Sequence, residues 1–228
     1  SQLKQRQLAI LTDFLRPSSS IGTAADEQGE PSFWKIVVFD AFCADLLSLQ
    51  LRVGDVRTYG VTLMLPLLSQ RQPIADVSAV YFIQPTDDNV RRVIRDINDG
   101  LYASYSLIFS NSISDALLRT LAEGVAAGGH ATDVSRVVDG FVNYHVLEPG
   151  LFCLSMPSSY RLFNSPTVQE DEAMRLVDYV TESLFSVCIS LKTMPIIRAR
   201  KGSLEDLIAT RLCARLYACD QERPTFFH

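Results

Sequence analysis

The sequence has little that suits a membrane span, a secreted protein or a nucleic-acid partner. Its longest uncharged stretch, residues 101–114, is interrupted by Ser and Asn, so no transmembrane helix is expected. The amphipathic, charged start of the chain lacks the apolar core of a secretory signal, which favours a cytosolic location. With 21 basic against 26 acidic residues the net charge is -5. An acidic chain gains little from phosphate attraction, so nucleic acid is not an expected partner.

Motifs for catalysis and metal binding are equally scarce. The histidines, His130, His145 and His228, form no His-x-x-x-His or His/Cys pair, so neither a metal nor another cofactor is predicted. Five scattered cysteines are typical of reduced thiols, without a disulfide framework or a zinc site. The glycines from Gly124 to Gly129 lack the Lys and Ser/Thr of a phosphate loop and follow a helical pattern, so they are expected to end a helix.

What the chain does contain is enough apolar material for a core. Hydrophobic residues make up 47% of its 228 positions and charged residues 21%, which excludes disordered and low-complexity classes. This length allows one large domain, or one complete domain and part of another.

Short apolar runs alternate with helical patterns through the first part of the chain. They predict strands at 34–39, 61–65, 79–83, 105–109 and 141–146, and helices at 3–15, 41–49, 55–59, 87–99 and 112–127. Apolar strands separated by helices need crossover connections, which predicts an α/β fold with a five-stranded, parallel, doubly wound sheet. The expected organisation is an N-terminal helix over residues 1–16, a flexible linker over 17–33 and an α/β domain over 34–147.

Beyond residue 147 the pattern becomes mainly helical. It predicts a short strand within 151–166, helices at 169–191 and 203–219, and one more strand at 195–199. These elements are too few to close a separate core, so residues 148–228 are predicted to be the helical first portion of a second α/β domain.

Two polar features have competing interpretations. Asp40 follows the first strand, where a carboxylate could hold a metal or accept a phosphoryl group in a doubly wound fold, or could cap the next helix. The mixed charges around Arg91, Arg92 and Arg95 are typical of a solvated helix face, with a partner-docking face as the alternative.

Two apolar stripes flank the glycine-rich turn. Leu118, Leu121, Ala122 and Val125 form a helical stripe, and a second stripe after the turn contains the residues Val134, Val137, Val138 and Phe141. The helical spacing of the second stripe predicts that two helices pack together. The pair is either ordinary core or a groove, lined by aliphatic side chains, for an apolar side chain of a partner peptide.

The segment 73–97, PIADVSAVYFIQPTDDNVRRVIRDI, resembles the SM family of SNARE regulators, the Sec/Munc-type proteins. The segments WKIVVFDAFCADLL, LYASYSLIFSNSIS, VVDGFVNYHVLEPGLFCLS and MPIIRARKGS follow the pattern of the Sly-type branch, which acts in ER-to-Golgi transport. The resemblance extends over roughly residues 34–217.

This resemblance implies a longer, non-enzymatic protein, cytoplasmic and peripherally recruited to ER and Golgi membranes without membrane insertion. Its first domain would bind the N-terminal peptide of a Golgi syntaxin, a Qa-SNARE, and its later domains would contact SNARE complexes. The peptide groove would comprise Leu118, Leu121, Ala122, Val134 and Val137. Leu121→Lys would then abolish peptide binding with little change in the melting temperature. An enzyme that uses Asp40 on a flavodoxin-like or phosphatase-like sheet is the alternative, and a groove for a different partner is a third.

Overall fold

The chain divides into two units. The computed structural model describes residues 2–16, 34–165, 167–223 and 226–227, so the predicted linker at 17–33 and His228 lie outside the described residues. One unit is Leu8–Gly140, and the other begins at Phe141 and includes the start of the chain through Gln7. The predicted domain boundary near residue 147 stays a prediction.

The first unit is built on the expected parallel sheet. Its strands are β1 (Lys35–Phe39), β2 (Val61–Pro66), β3 (Ile74–Ile83), β4 (Tyr102–Phe109) and β5 (Val134–Asp139), in the order β2-β1-β3-β4-β5. Every neighbouring pair is parallel. Its helices are α2 (Ala41–Gln50), α3 (Val53–Thr58), α4 (Asp87–Asn98) and α5 (Asp115–Ala127), with the part of α1 (Gln2–Leu15) from Leu8 onward. The predicted five-stranded, doubly wound α/β fold is therefore confirmed.

The order reverses at β1, which puts helices on both faces of the sheet. Right-handed crossovers place α2 on one face and α4 and α5 on the other. On the second face, residues such as Tyr81 and Leu107 form one buried core with Val93 of α4 and Leu121 of α5. On the first face, Phe14 of α1 packs against Phe82, with ring centroids 5.8 Å apart.

The position of the fifth strand differs from the prediction. Residues 134–139, expected in a helix, form the edge strand β5, whereas 141–146 contribute no strand to this sheet. Three β-branched valines in this short segment favour a strand. Their spacing suggested a helix because the strand contains an extra residue, which is described with the site below.

The second unit contains the antiparallel pair β6 (His145–Glu148) and β7 (Leu151–Cys153), and the helices α6 (Ser159–Asn164), α7 (Glu170–Leu191) and α8 (Leu204–Glu222). α7 and α8 pack together through Val177, Phe185, Ile208 and Leu212. The strand predicted at 195–199 is absent, because that segment has no regular secondary structure. Among the described helices, none combines the length and apolarity that a membrane crossing needs.

Candidate functional site

Helix α5 carries the first apolar stripe, and both of its ends are well defined. Ser114 is the N-cap, whose Oγ accepts a hydrogen bond from the Leu117 N–H at 3.3 Å. The helix ends at Ala127, and Gly129 follows with a φ of 79°, a left-handed conformation that favours glycine. The predicted glycine-rich helix end is therefore confirmed.

The predicted groove residues on α5 differ in their exposure. Leu121 is only 4% exposed and belongs to the core beneath the helix. Leu118, one turn earlier, is 39% exposed, and Ala122 is also exposed. The helix therefore presents Leu118 and Ala122 at its surface, while Leu121 anchors it to the sheet.

Strand β5 carries the other two predicted residues, and a β-bulge places them on one face. Tyr105 pairs with Val134 and Ser106 with Arg136, so Ser135 is an extra residue in the edge strand. Its Oγ donates a hydrogen bond to the Tyr105 carbonyl oxygen at 3.0 Å.

Pairing after the bulge brings Val137 opposite Leu107. Tyr105 and Leu107 both point into the core beneath α5, and directly paired residues share a face of the sheet. Val134 and Val137 therefore both point toward the α5 side, although residues three apart in a regular strand would point to opposite sides. The spacing that suggested a helix is thus accommodated by a bulged strand.

Together these residues form what we call the α5–β5 surface, which comprises Leu118, Leu121, Ala122, Val134 and Val137. Val137 is 40% exposed and Val134 is partly buried against the core. The fold thus brings the five predicted residues to the same side of the sheet. Leu121 is the one buried core residue among the five, so lysine there is now expected to lower the melting temperature, unlike the expectation from the sequence.

Hydrogen bonds hold both ends of this surface. At one end the Asp139 carboxylate accepts hydrogen bonds from the Ile113 N–H at 3.1 Å and the Ser112 hydroxyl at 3.2 Å. At the other end His130 Nδ1 lies 2.8 Å from Asp133 Oδ2. The Asp139 contacts tie the connection before α5 to the edge strand, and the His130–Asp133 contact lies within the connection from α5 to β5.

At the alternative site, both carboxylate oxygens of Asp40 accept structural hydrogen bonds. Oδ1 accepts from the Cys43 N–H at 2.9 Å, and Oδ2 accepts from the Gln84 N–H at 2.7 Å and from Asn89 Nδ2 at 2.8 Å. The interpretation of Asp40 as a helix cap is confirmed. Burial, followed by the charge of Asp40, raises the pKa of the Cys43 thiol, which makes that thiol a poor nucleophile.

The helix with the arginine cluster contains a feature that periodicity did not reveal. Asp96 of α4 is 2% exposed and accepts hydrogen bonds from Arg71 and from the Tyr81 hydroxyl, the latter at 3.1 Å. Arg92 lies 3.3 Å from the other Asp96 oxygen. Part of the predicted solvated face is therefore a buried ionic network, and its partner Arg71 lies too far away in sequence to be identified by helical spacing.

Known proteins are similar to this chain in both sequence and fold. The Schizosaccharomyces pombe protein sly1 is 36% identical over 95% of this chain and 34% of its own length. The SEC1 family transport protein SLY1 of rice is 41% identical over 86% of this chain and 31% of its own length. The chain thus spans about a third of the length of these curated relatives.

The crystal structure of Sly1p in complex with an N-terminal peptide of Sed5p superposes on 97% of this chain and 39% of that chain, with a TM-score of 0.83 and 28% identity. The sequence model of the Sec1 family matches residues 35–227, almost all of the described sheet and helices. The chain therefore belongs to the Sec1 family.

Proposed function

We propose that this chain is part of an SM-type SNARE regulator of ER-to-Golgi traffic, and that its α5–β5 surface binds the N-terminal peptide of a Golgi syntaxin. Family membership and the similarity to proteins named Sly1 support the general role. The solved complex of Sly1p with an N-terminal peptide of Sed5p supports the choice of ligand.

The observation that carries the proposal is the exposure pattern of the α5–β5 surface. Leu118 and Val137, 39% and 40% exposed, accompany the small exposed side chain of Ala122. A small residue among larger apolar ones leaves room for an apolar anchor of the peptide. Burial of one phenylalanine ring contributes about 1.5–3 kcal/mol of the roughly 8 kcal/mol that micromolar affinity requires. The peptide backbone and its polar groups supply the rest.

In the wider role, peptide capture recruits the regulator to a membrane-anchored syntaxin and promotes SNARE assembly and fusion. The protein then acts by binding, on the cytoplasmic side of ER and Golgi membranes. In this proposal, contacts with assembled SNARE complexes are made by later domains of the regulator. In this proposal residues 34–147 are the peptide-binding domain, and residues 148–228 begin a second domain.

Substitution of Ala122 by lysine tests the peptide site. Ala122→Lys places a charged side chain at the exposed position where the proposed anchor would pack, so an ammonium group must be desolvated for the peptide to bind. We expect affinity for the Sed5p N-terminal peptide, measured by calorimetry, to fall by about 100-fold or more. The melting temperature should stay close to that of the parent chain, because Ala122 is exposed.

Ala116→Lys is the matched control, because Ala116 is exposed on the same helix but faces away from β5. It introduces the same charge and should leave peptide affinity unchanged. Equal affinity of the Ala122→Lys and parent chains would contradict the assignment of the surface. If none of a panel of syntaxin N-terminal peptides binds the parent chain, the proposed ligand is wrong.

A further inference from the structure

Helix α5 approaches α4 more closely than a residue with a side chain would permit. A Cβ built on Gly124 would lie 2.8 Å from Ile94 Cδ1 and 2.9 Å from Ile94 Cγ2. A Cβ on Gly128 would collide with the Asn98 side chain. Asn98 Nδ2 also donates a hydrogen bond to the Gly124 carbonyl oxygen at 3.2 Å. Glycine at these two positions therefore permits the close packing of the two helices.

This helix contact lies on the side of α5 opposite to the exposed apolar residues. At about 100° per residue, Gly124 and Ala122 lie on opposite flanks of the buried Leu121. Because α4 joins β3 to β4 and α5 joins β4 to β5, α4 and β5 also lie on opposite sides of α5. A displacement of α5 away from Ile94 would therefore carry Leu118 and Ala122 toward Val137.

We propose that Gly124 is a positioning residue for the α5–β5 surface: the missing side chain lets α5 rest on Ile94 and so keeps the space beside β5 wide enough for a peptide anchor. This inference rests on the proposed function. Gly124 does not touch the peptide and acts through the position of α5. The effect belongs to the contact between α4 and α5, outside the residues that would bind the peptide.

Gly124→Ala tests the inference. The new methyl group meets Ile94, moves α5 toward β5 and should weaken binding of the Sed5p N-terminal peptide by about tenfold. Alanine also favours a helix over glycine, which opposes the cost of the contact, so the variant should still fold. Methyl resonances of Leu118 and Val137 should shift in the unbound variant, which reports the displacement without any peptide.

Three further variants distinguish a displacement of α5 from a general effect of alanine. Gly54→Ala is the matched control, because Gly54 lies in helix α3 and a Cβ there would meet nothing within 4 Å. It should change neither affinity nor the methyl resonances. Ile94→Ala removes the atoms that the new methyl would meet, so Ile94→Ala/Gly124→Ala should bind about as tightly as Ile94→Ala alone.

The possible outcomes distinguish this inference from the proposed function. A parent chain that fails to bind the peptide overturns the proposed function, and this inference with it. A parent chain that binds, together with Gly124→Ala of unchanged affinity and unchanged methyl resonances, overturns the positioning role alone. The positioning role is also overturned if Ile94→Ala/Gly124→Ala binds the peptide much more weakly than Ile94→Ala does. The contact between the new methyl group and Ile94 would then not be the cause of the weaker binding.

Discussion

At the scale of single residues, Lys35 shows how burial changes chemistry in this fold. The residue begins β1, is 5% exposed, and its Nζ donates a hydrogen bond to the Leu15 carbonyl oxygen. Burial, assisted by the positive charge of Arg136, lowers the pKa of Lys35 to about 8. The folded chain therefore releases this proton at a lower pH than the unfolded chain does.

This difference predicts that the contribution of Lys35 to stability rises with pH. The unfolded lysine binds more protons between the folded pKa of about 8 and the usual lysine value, so this contribution to the free energy of unfolding should increase across that interval. Buried thiols such as Cys43, whose pKa is raised, contribute in the opposite direction. The gain should reach at most about 3 kcal/mol. Urea titrations of the parent chain and of Lys35→Met from pH 7.5 to 10 measure this contribution as the difference between the two stability profiles. Parallel pH profiles for the two chains would show that Lys35 does not titrate in this way.

At the scale of elements, helix α4 combines a solvent-exposed charged face with a buried ion pair. Arg91 and Asp87 form an exposed pair at 2.8 Å, a kind of contact that contributes little to stability. Asp96 and Arg71 are 2% and 1% exposed. Burial raises the pKa of Asp96, with the charges of Arg71 and Arg92 acting in the opposite direction. The ionic network is thus costly to form and costly to break.

Removal of the Asp96 carboxylate should lower the free energy of unfolding. Asp96→Ala leaves the Arg71 guanidinium buried without its carboxylate and should reduce the free energy of unfolding by about 3–5 kcal/mol. Chemical denaturation measures the change, and Asp99→Ala, at an exposed position of the same helix end, should have little effect. The double variant Arg71→Met/Asp96→Leu should recover much of the loss. Similar losses in Asp96→Ala and Asp99→Ala would refute the role of the pair.

At the scale of the whole molecule, the chain has separate cores in its two units. The sheet of the first unit packs beneath α4 and α5. In the second unit α7 and α8 share apolar clusters, and Arg215 of α8 pairs with Glu182 of α7 at 2.7 Å. The sequence analysis found the elements of this region too few to close a separate core, and the structure shows that α7 and α8 bury apolar side chains against each other.

A cavity in the second core should loosen that unit. Leu212 is 5% exposed between α7 and α8, so Leu212→Ala should cost about 2–5 kcal/mol. Hydrogen exchange followed by mass spectrometry should show faster exchange in peptides from α7 and α8, with a smaller change in β1–β5. Tyr217→Ala, at a position of α8 that is 64% exposed, is the control. Unchanged exchange in α7 would contradict the proposed packing role of Leu212.

Much of the first unit follows from local patterns. The apolar runs correctly indicated β1, β2, β4 and the end of β3, and the helical repeats indicated α4 and α5. β5 was misplaced because Val134 and Val137 have a helical spacing, and only pairing with β4 reveals Ser135 as a bulge. Strand pairing joins residues far apart in the chain, so the local period cannot distinguish a bulged strand from a helix.

For the candidate site, the sequence by itself determined a great deal: five aliphatic residues around a glycine-rich turn, and the family motifs that link them to a peptide groove. The tertiary structure decided which of them is available. Leu121 and Ala122 are adjacent and both apolar, yet one lies in the core and the other is exposed. That difference depends on the sheet beneath the helix, which covers Leu121. Burial is set by neighbours brought together through folding, so a stripe of apolar residues in the sequence does not show which of its side chains are exposed.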